Sequence, residues 1–385
     1  MKFILFLILI ASVPAEAIST SLRVGIEHTE QYLLRLQNKR VAIVTHQASQ
    51  VNGLHSVDFL REHGVNLIRV FSPEHGFRGN HEAGESVTNL VDYESGFTIV
   101  SLYGKKKKPT PEDLKEIDIV LFDLQDVGCR FYTYLSTLHY VMEACGELNI
   151  PLLVMDRPNP NAFYVDGPVL RPAQRSFVGM HPVPIVYGMT IGEYARMING
   201  EGWLAGGIRC DLTVIPCSGW QRSQSLPLLV PPSPNLPDSV SVRLYPTTCL
   251  FEGTVINEGR GTLRPFQLFG HPQLADMPYH YIPRAITGMS QWPKQLGKTC
   301  HGMDLADRYD EVRRLGRLQI EWIIQALNAY KGTTPFFTDF FDLLAGTPQL
   351  RQDLISGKSA DEIRASWTPD LEQFKRIRTK YLLYP

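Results

Sequence analysis

Five apolar runs rich in β-branched residues constrain the fold of this chain more than any other feature: "VAIVTH" (41–46), "LIRVFS" (67–72), "TIVSLYG" (98–104), "DIVLFDLQD" (118–126) and "PLLVMDRP" (151–158). Strands apolar on both faces belong inside a parallel sheet, because crossover helices cover both of its sides. The intervening segments carry the helical period. They are "SVDFLREHG", "TPEDLKEI" with Thr110 placed to cap it and Pro111 in its first turn, and "TYLSTLHYVMEACGELN", where Leu135, Leu138, Met142 and Cys145 share one stripe. A further helix is expected at "TIGEYARMING", with Thr190 and Glu193 as its capping box, and then a strand at "DLTVIP". This alternation predicts an α/β fold, a parallel sheet with helices on both faces, over residues 18–245. Past the proline-rich "LPLLVPPSPNLPD" the pattern changes to Gly-rich loops and two helical stretches, "RLGRLQIEWIIQALNAY" and "DLEQFKRIRTKYLLY". A second, smaller domain is expected over residues 246–385.

In an open parallel sheet, ligands bind beyond the carboxyl ends of the strands, where the βα loops project. Here those ends read Thr45-His46-Gln47, Pro73-Glu74-His75-Gly76, Tyr103-Gly104, "DLQDVGCRFYTY" and "DRPNPN". Every expected strand thus delivers polar groups to one edge of the sheet.

Glu74 follows a buried strand directly and is held between Pro73 and a His75-Gly76 turn, a setting suited to a general acid. The alternative for it is a helix cap or a salt bridge to Arg78 or Arg130. Glu85, eleven residues on, reads either as the second carboxylate of a hydrolytic pair or as a solvated loop acid. His75 and His81 invite a metal reading with Glu74, yet their spacing matches no helix-borne H-E-x-x-H. Around Asp126, Arg130 and Tyr132, hydroxyls, a guanidinium and aromatic faces alternate, which suits a sugar bearing a carboxylate; a buried ion pair of Arg130 with Asp123 or Asp126 is the competing reading. Arg157 and Asn159 lie in an extended X-Pro-X-Pro segment that orients their side chains. His46 closes the first strand.

The sequence also excludes several classes. No G-x-G-x-x-G follows the first strand, "EGRGT" (258–262) lacks the third glycine, and neither a G-x-S-x-G elbow nor a P-loop is present. A formal net charge of -1 with 44% hydrophobic residues offers no electrostatic footprint for nucleic acid. The run Lys105 to Lys108 reads as a solvated turn. Residues 1–17, with Lys2, an apolar stretch from Phe3 to Val13 and Ala15-Glu16-Ala17, have the form of a secretory signal peptide, which implies export to a periplasm or the medium. No later stretch is apolar for the roughly 18 residues a membrane-spanning helix needs. Six cysteines, none in a C-x-x-C pair, assign no disulfide; Cys210 and Cys217 fall on opposite faces of their strand.

"SPEHGFRGNHEAGE", "KPTPEDLKEIDIVLFDLQDVGCRFYTY", "DRPNP", "VDGPVL", "SFVGMHPVPIVYGMTIGEYARMING", "PPSPNLP", "YPTTCLFEGT" and "NEGRGTLRPFQLFG" together resemble the NamZ family of exo-β-N-acetylmuramidases, from about residue 23 to the terminal "KYLLYP". The resemblance implies a Rossmann-like N-terminal domain, a smaller C-terminal α+β domain and an active site in the cleft between them. It implies removal of N-acetylmuramic acid (MurNAc) from the non-reducing end of peptidoglycan fragments, with no metal or nucleotide cofactor, and it places the catalytic acid/base on Glu74. Arg130 or Arg157 is then the expected partner of the MurNAc lactyl carboxylate, and Glu258 and Arg260 a wall of the cleft from the second domain. A non-catalytic cell-wall glycan-binding protein and a metal-dependent deacylase of muropeptides are the readings from other classes.

Overall fold

The computed structural model describes residues 21–74, 90–92, 97–224 and 228–385. Its main sheet has seven strands: β1 (Val41–Thr45), β2 (Leu67–Ser72), β3 (Leu90–Asp92), β4 (Phe97–Ser101), β5 (Ile119–Asp123), β6 (Leu152–Met155) and β7 (Leu212–Ile215). They lie in the order β3-β4-β2-β1-β5-β6-β7, all neighbours parallel except β3 with β4. The six parallel strands alone follow the doubly wound arrangement of dinucleotide-binding folds, with the direction of winding reversing between β1 and β5.

Period-two alternation divides each central strand between two cores. Val41, Ile43, Ile119, Leu121, Leu153 and Met155 pack with Tyr32 and Leu36 of α1 (Thr29–Leu36) and Val57 and Leu60 of α2 (Ser56–Glu62). Ala42, Val44, Val120, Phe122, Leu152 and Val154 face the other way, against α3 (Tyr134–Leu148) and α4 (Ile191–Gly200). Leu135, Leu138, Met142 and Cys145 lie on the buried face of α3 as their spacing predicts, and Thr190 and Glu193 make the expected capping box of α4.

That second core runs on into the C-terminal region. A three-stranded antiparallel sheet, β8 (Leu268–His271), β9 (Tyr279–Tyr281) and β10 (Cys300–Asp304), lies there with helices that include the long Ala360–Arg378. Phe251, Phe266, Phe269 and Trp367 of this region belong to the same apolar cluster as Phe122 and Leu138. The two parts are joined by a continuous core.

The segment "TPEDLKEI" is a correction. Thr110 and Asp113 exchange the expected cap bonds, Thr110 N–H to Asp113 Oδ2 at 2.8 Å and Asp113 N–H to Thr110 Oγ1 at 3.2 Å, but turns follow instead of a helix. Glu116 takes up left-handed backbone (φ 66), which ends the segment within two turns. The lysine run beside it is tied down: Lys106 pairs with Asp113, and Lys108 bridges Glu143 and Glu147. All six cysteines are buried and free.

Beneath the end of β6, buried Asp156 collects four donors. These are the Arg157 N–H (3.0 Å), the Gly192 N–H at the start of α4 (2.8 Å), Thr190 Oγ1 (2.7 Å) and, from the last residues of the chain, Tyr384 Oη (2.5 Å).

Candidate active site

Glu74 stands two residues beyond β2, where the chain leaves the sheet through Pro73. Its Oε2 accepts a 2.7 Å hydrogen bond from Thr133 Oγ1, the residue that opens α3. The carboxylate lines a cavity of about 330 Å³ between the two parts of the chain. The parallel-sheet side supplies Tyr103, Phe131, Tyr132 and Thr133, with Phe177 and Val178 beside them; Ser233, Asn235 and Leu236 come from the proline-rich segment; the C-terminal side supplies Tyr245, Glu252, Arg260, Phe266 and Phe340. Aromatic walls around a few fixed polar groups suit the apolar face and hydroxyl rim of a sugar ring.

The described part of the proline-rich segment, residues 228–238, makes a tight turn in which the Leu236 N–H donates to Ser233 O (2.9 Å), and it is strapped across the strand ends. Gln47 Nε2 donates to the carbonyls of Pro231 (3.0 Å) and Pro232 (3.2 Å), and Tyr132 Oη donates to Pro232 O (2.9 Å).

Among the expected site residues, Glu74, Tyr132 and Arg260 meet in this cavity. His75, His81 and Glu85 lie outside the described residues. Several others are buried and bonded to groups outside this cavity. Arg130 is 1% exposed and donates from Nη1 to the carbonyls of Pro168 (2.9 Å) and Val183 (2.8 Å) and from Nη2 to Leu344 O (2.7 Å). It therefore bonds carbonyls from both parts of the chain and makes no ion pair with Asp123 or Asp126. Asp123 belongs to Arg157, whose Nε and Nη2 reach its two oxygens at 2.5 and 3.0 Å, while Nη1 donates to Gln50 O (3.1 Å). Arg157 lines a separate cavity of about 300 Å³ with Gln125 and Leu229, away from Glu74.

Asp126 is buried and accepts from Tyr187 Oη and from Gly128 N–H (2.8 Å); burial pushes its carboxyl up to about 6 against those donors. Asn159 Nδ2 donates to Met189 O (2.8 Å) and its Oδ1 accepts from Asn161 N–H (2.7 Å). The buried ring of His46 accepts the Gln125 N–H at Nε2 (3.0 Å), which leaves the proton on Nδ1 to face Tyr134 Oη at 2.9 Å. Glu258 is buried behind Arg260, with Oε1 3.3 Å from Arg260 Nε and Oε2 2.9 Å from Lys294 Nζ.

Thr133 and Glu252 were not foreseen. Thr133 lies in "CRFYTY", where Arg130 and Tyr132 drew attention, and the signal for it was its place at the start of a helix. Glu252 in "CLFEGT" follows no strand, and only the packing of the C-terminal part brings it into the cavity that Glu74 lines. Among the described residues, no group of three or more His, Cys, Asp or Glu is arranged to hold a metal ion. No described helix is long and apolar enough to cross a membrane.

The chain is similar to known proteins over almost its whole length. Residues 41–240 match the N-terminal domain, and residues 243–384 the C-terminal domain, of the family described as exo-beta-N-acetylmuramidase NamZ. It is 40% identical over 376 residues to the peptidoglycan beta-N-acetylmuramidase NamZ of Bacillus subtilis, covering 92% of this chain and 89% of that protein. Two crystal structures of DUF1343-family proteins from Bacteroides fragilis superpose on it. One has a TM-score of 0.88 at 44% identity (95% of this chain, 99% of that one), the other 0.80 at 31% (94% and 99%).

Proposed function

This chain belongs to the NamZ family of exo-β-N-acetylmuramidases, and from that premise we propose that Glu74 is the proton donor of its reaction. The enzyme is a glycosidase of peptidoglycan. It releases the terminal, non-reducing β-linked MurNAc from peptidoglycan-derived saccharides. One observation carries the assignment of Glu74: a carboxylate fixed at the end of a central parallel strand by Thr133 projects into a sugar-sized, aromatic-walled cavity between the two parts of the chain.

In this reading the glycosidic oxygen lies against Glu74, which protonates it as the bond to the anomeric carbon breaks. Water attacks that carbon, directly or after the 2-acetamido group of the substrate has closed on it. Thr133 holds the carboxyl in register, and the aromatic rings exclude bulk water from the charge that develops on the sugar. The segment 1–17 directs the chain out of the cytoplasm, toward the cell wall that supplies its substrate.

The test is release of free MurNAc from a chromogenic β-MurNAc glycoside and from a MurNAc-terminated muropeptide. Glu74→Gln should retain binding and lose roughly 100- to 10,000-fold in turnover. Near wild-type turnover by that variant would remove Glu74 from the mechanism. Binding without release by the wild-type protein would make it a glycan-binding module, and silencing by EDTA would point to a metal-dependent deacylase.

A further inference from the structure

Arg260 is the one cation among the described residues that line the Glu74 cavity. Its position is built with care. It lies between two glycines in left-handed backbone, Gly259 (φ 85) and Gly261 (φ 81). A β-carbon at Gly259 would lie 2.8 Å from Arg264 O, and one at Gly261 2.6 Å from the Pro293 ring. Asn257 clamps the turn, donating from Nδ2 to Arg260 O (3.1 Å) and accepting the Gly259 N–H at Oδ1 (2.8 Å). Phe266 adopts φ 61, rare for an aromatic residue, and its ring lies 5.2 Å from the guanidinium carbon. Backbone conformations that cost free energy cluster where a side chain must be held for a purpose.

The guanidinium itself is oriented on two sides. Nη2 bonds the Glu252 carboxylate, and Nε lies 3.3 Å from Glu258 Oε1. Nη1 has no hydrogen-bond partner among the described residues. Lys294 shares Glu258, so Arg260 and Lys294 together balance Glu252 and Glu258. An arriving anion meets a neutral cluster with an open donor edge.

We propose that Arg260 binds the lactyl carboxylate of MurNAc and thereby sets the preference for this sugar over N-acetylglucosamine, which lacks that group. The proposal rests on the muramidase reading above and replaces Arg130 and Arg157, both of which are committed elsewhere. A carboxylate carried into a cavity walled by Tyr103, Phe177 and Tyr245 needs a partner there, and a planar guanidinium already fixed in place gives up little freedom in providing one.

The test is a cycle between enzyme and substrate: 4-nitrophenyl β-MurNAc and its lactyl methyl ester, each with wild-type enzyme, Arg260→Gln and Arg260→Lys. The wild type should prefer the acid by roughly 10- to 100-fold in kcat/KM, the worth of one hydrogen bond to a charged group. Arg260→Gln should lose that factor on the acid, chiefly through KM, and change little on the ester. Arg260→Lys keeps a cation between Glu252 and Glu258, serves if the glutamine variant does not fold, and should retain part of the preference. Equal losses on acid and ester, or an undiminished preference in the variants, would overturn the assignment of Arg260 alone. A wild-type enzyme inert on both substrates would overturn the muramidase reading as well.

Discussion

Thr133 donates its hydroxyl hydrogen to Glu74 across 2.7 Å, so the residue that opens α3 fixes the carboxyl just beyond β2. The bond ties the chain just past β2 to the first turn of a helix packed on the face of the sheet, so the cavity carboxyl is held by the core. Thr133→Val preserves shape and removes the donor. With one hydrogen bond to a carboxyl lost, kcat should fall about tenfold while KM holds, as steady-state kinetics would read. A pure KM effect would place Thr133 in substrate binding instead.

Asp126 yields a prediction with opposite signs for two hypotheses. Burial raises its carboxyl from 3.8 to about 6, and Oδ1 has no hydrogen-bond partner among the described residues. The folded state therefore holds a proton that the unfolded state has released, so stability falls as pH rises from about 4 to about 6, by roughly 3 kcal/mol in all. Asp126→Asn should flatten that limb, raise the urea midpoint near pH 8, and leave activity intact. A large loss of activity in a folded Asp126→Asn protein would return Asp126 to the site.

His139 acts in the other direction. Its Nδ1 lies 2.9 Å from His181 Nε2, and His181 Nδ1 lies 3.0 Å from Tyr194 Oη, all buried. Burial, only partly offset by Glu143, lowers His139 from 6.5 to about 4. The unfolded chain binds the proton first, so stability is lost as pH falls from 6.5 toward 4, by roughly 3 kcal/mol. His139→Gln should remove about one proton from the pH dependence measured by denaturant titration across that window.

Arg130→Ala leaves buried carbonyls of Pro168, Val183 and Leu344 without their donor. The cost should reach several kcal/mol, about 3 or more, seen as a lower Tm. The protein that remains folded should keep its KM for MurNAc substrates, because the guanidinium is nowhere in the cavity. A selective rise in KM for those substrates would contradict the buried role.

The strands were legible because β1, β5 and β6 are buried on both faces and carry a polar residue, where they carry one, only at the carboxyl end. β3 escaped because three residues on an antiparallel edge leave no periodic trace. At the site, position was easier to read than exposure. Polar residues just past a strand can line a cavity, as Glu74 does, or satisfy one another inside, as Asp123 with Arg157 and Asn159 with Asn161 do, and both look alike in sequence. Arg260 came into view only through the family resemblance, as part of the cleft wall, because the local sequence around it shows no strand or helix to position it. Tyr245, Glu252 and Phe266 complete the same cavity from a domain remote in sequence, and no local pattern announces such a meeting.

The bond from Tyr384 to Asp156 closes a loop of 228 residues. Ribosomes build the chain from the other end, so β6 exists long before the tyrosine that completes its buried acid. Glu193, at the start of α4, also receives its bonds from the Leu383 and Tyr384 N–H groups. The buried acids at the end of β6 and the start of α4 are therefore satisfied only once residues 383 and 384 have been made, after every strand of both sheets, so this edge of the main sheet waits on the far end of the C-terminal region for its last hydrogen bonds.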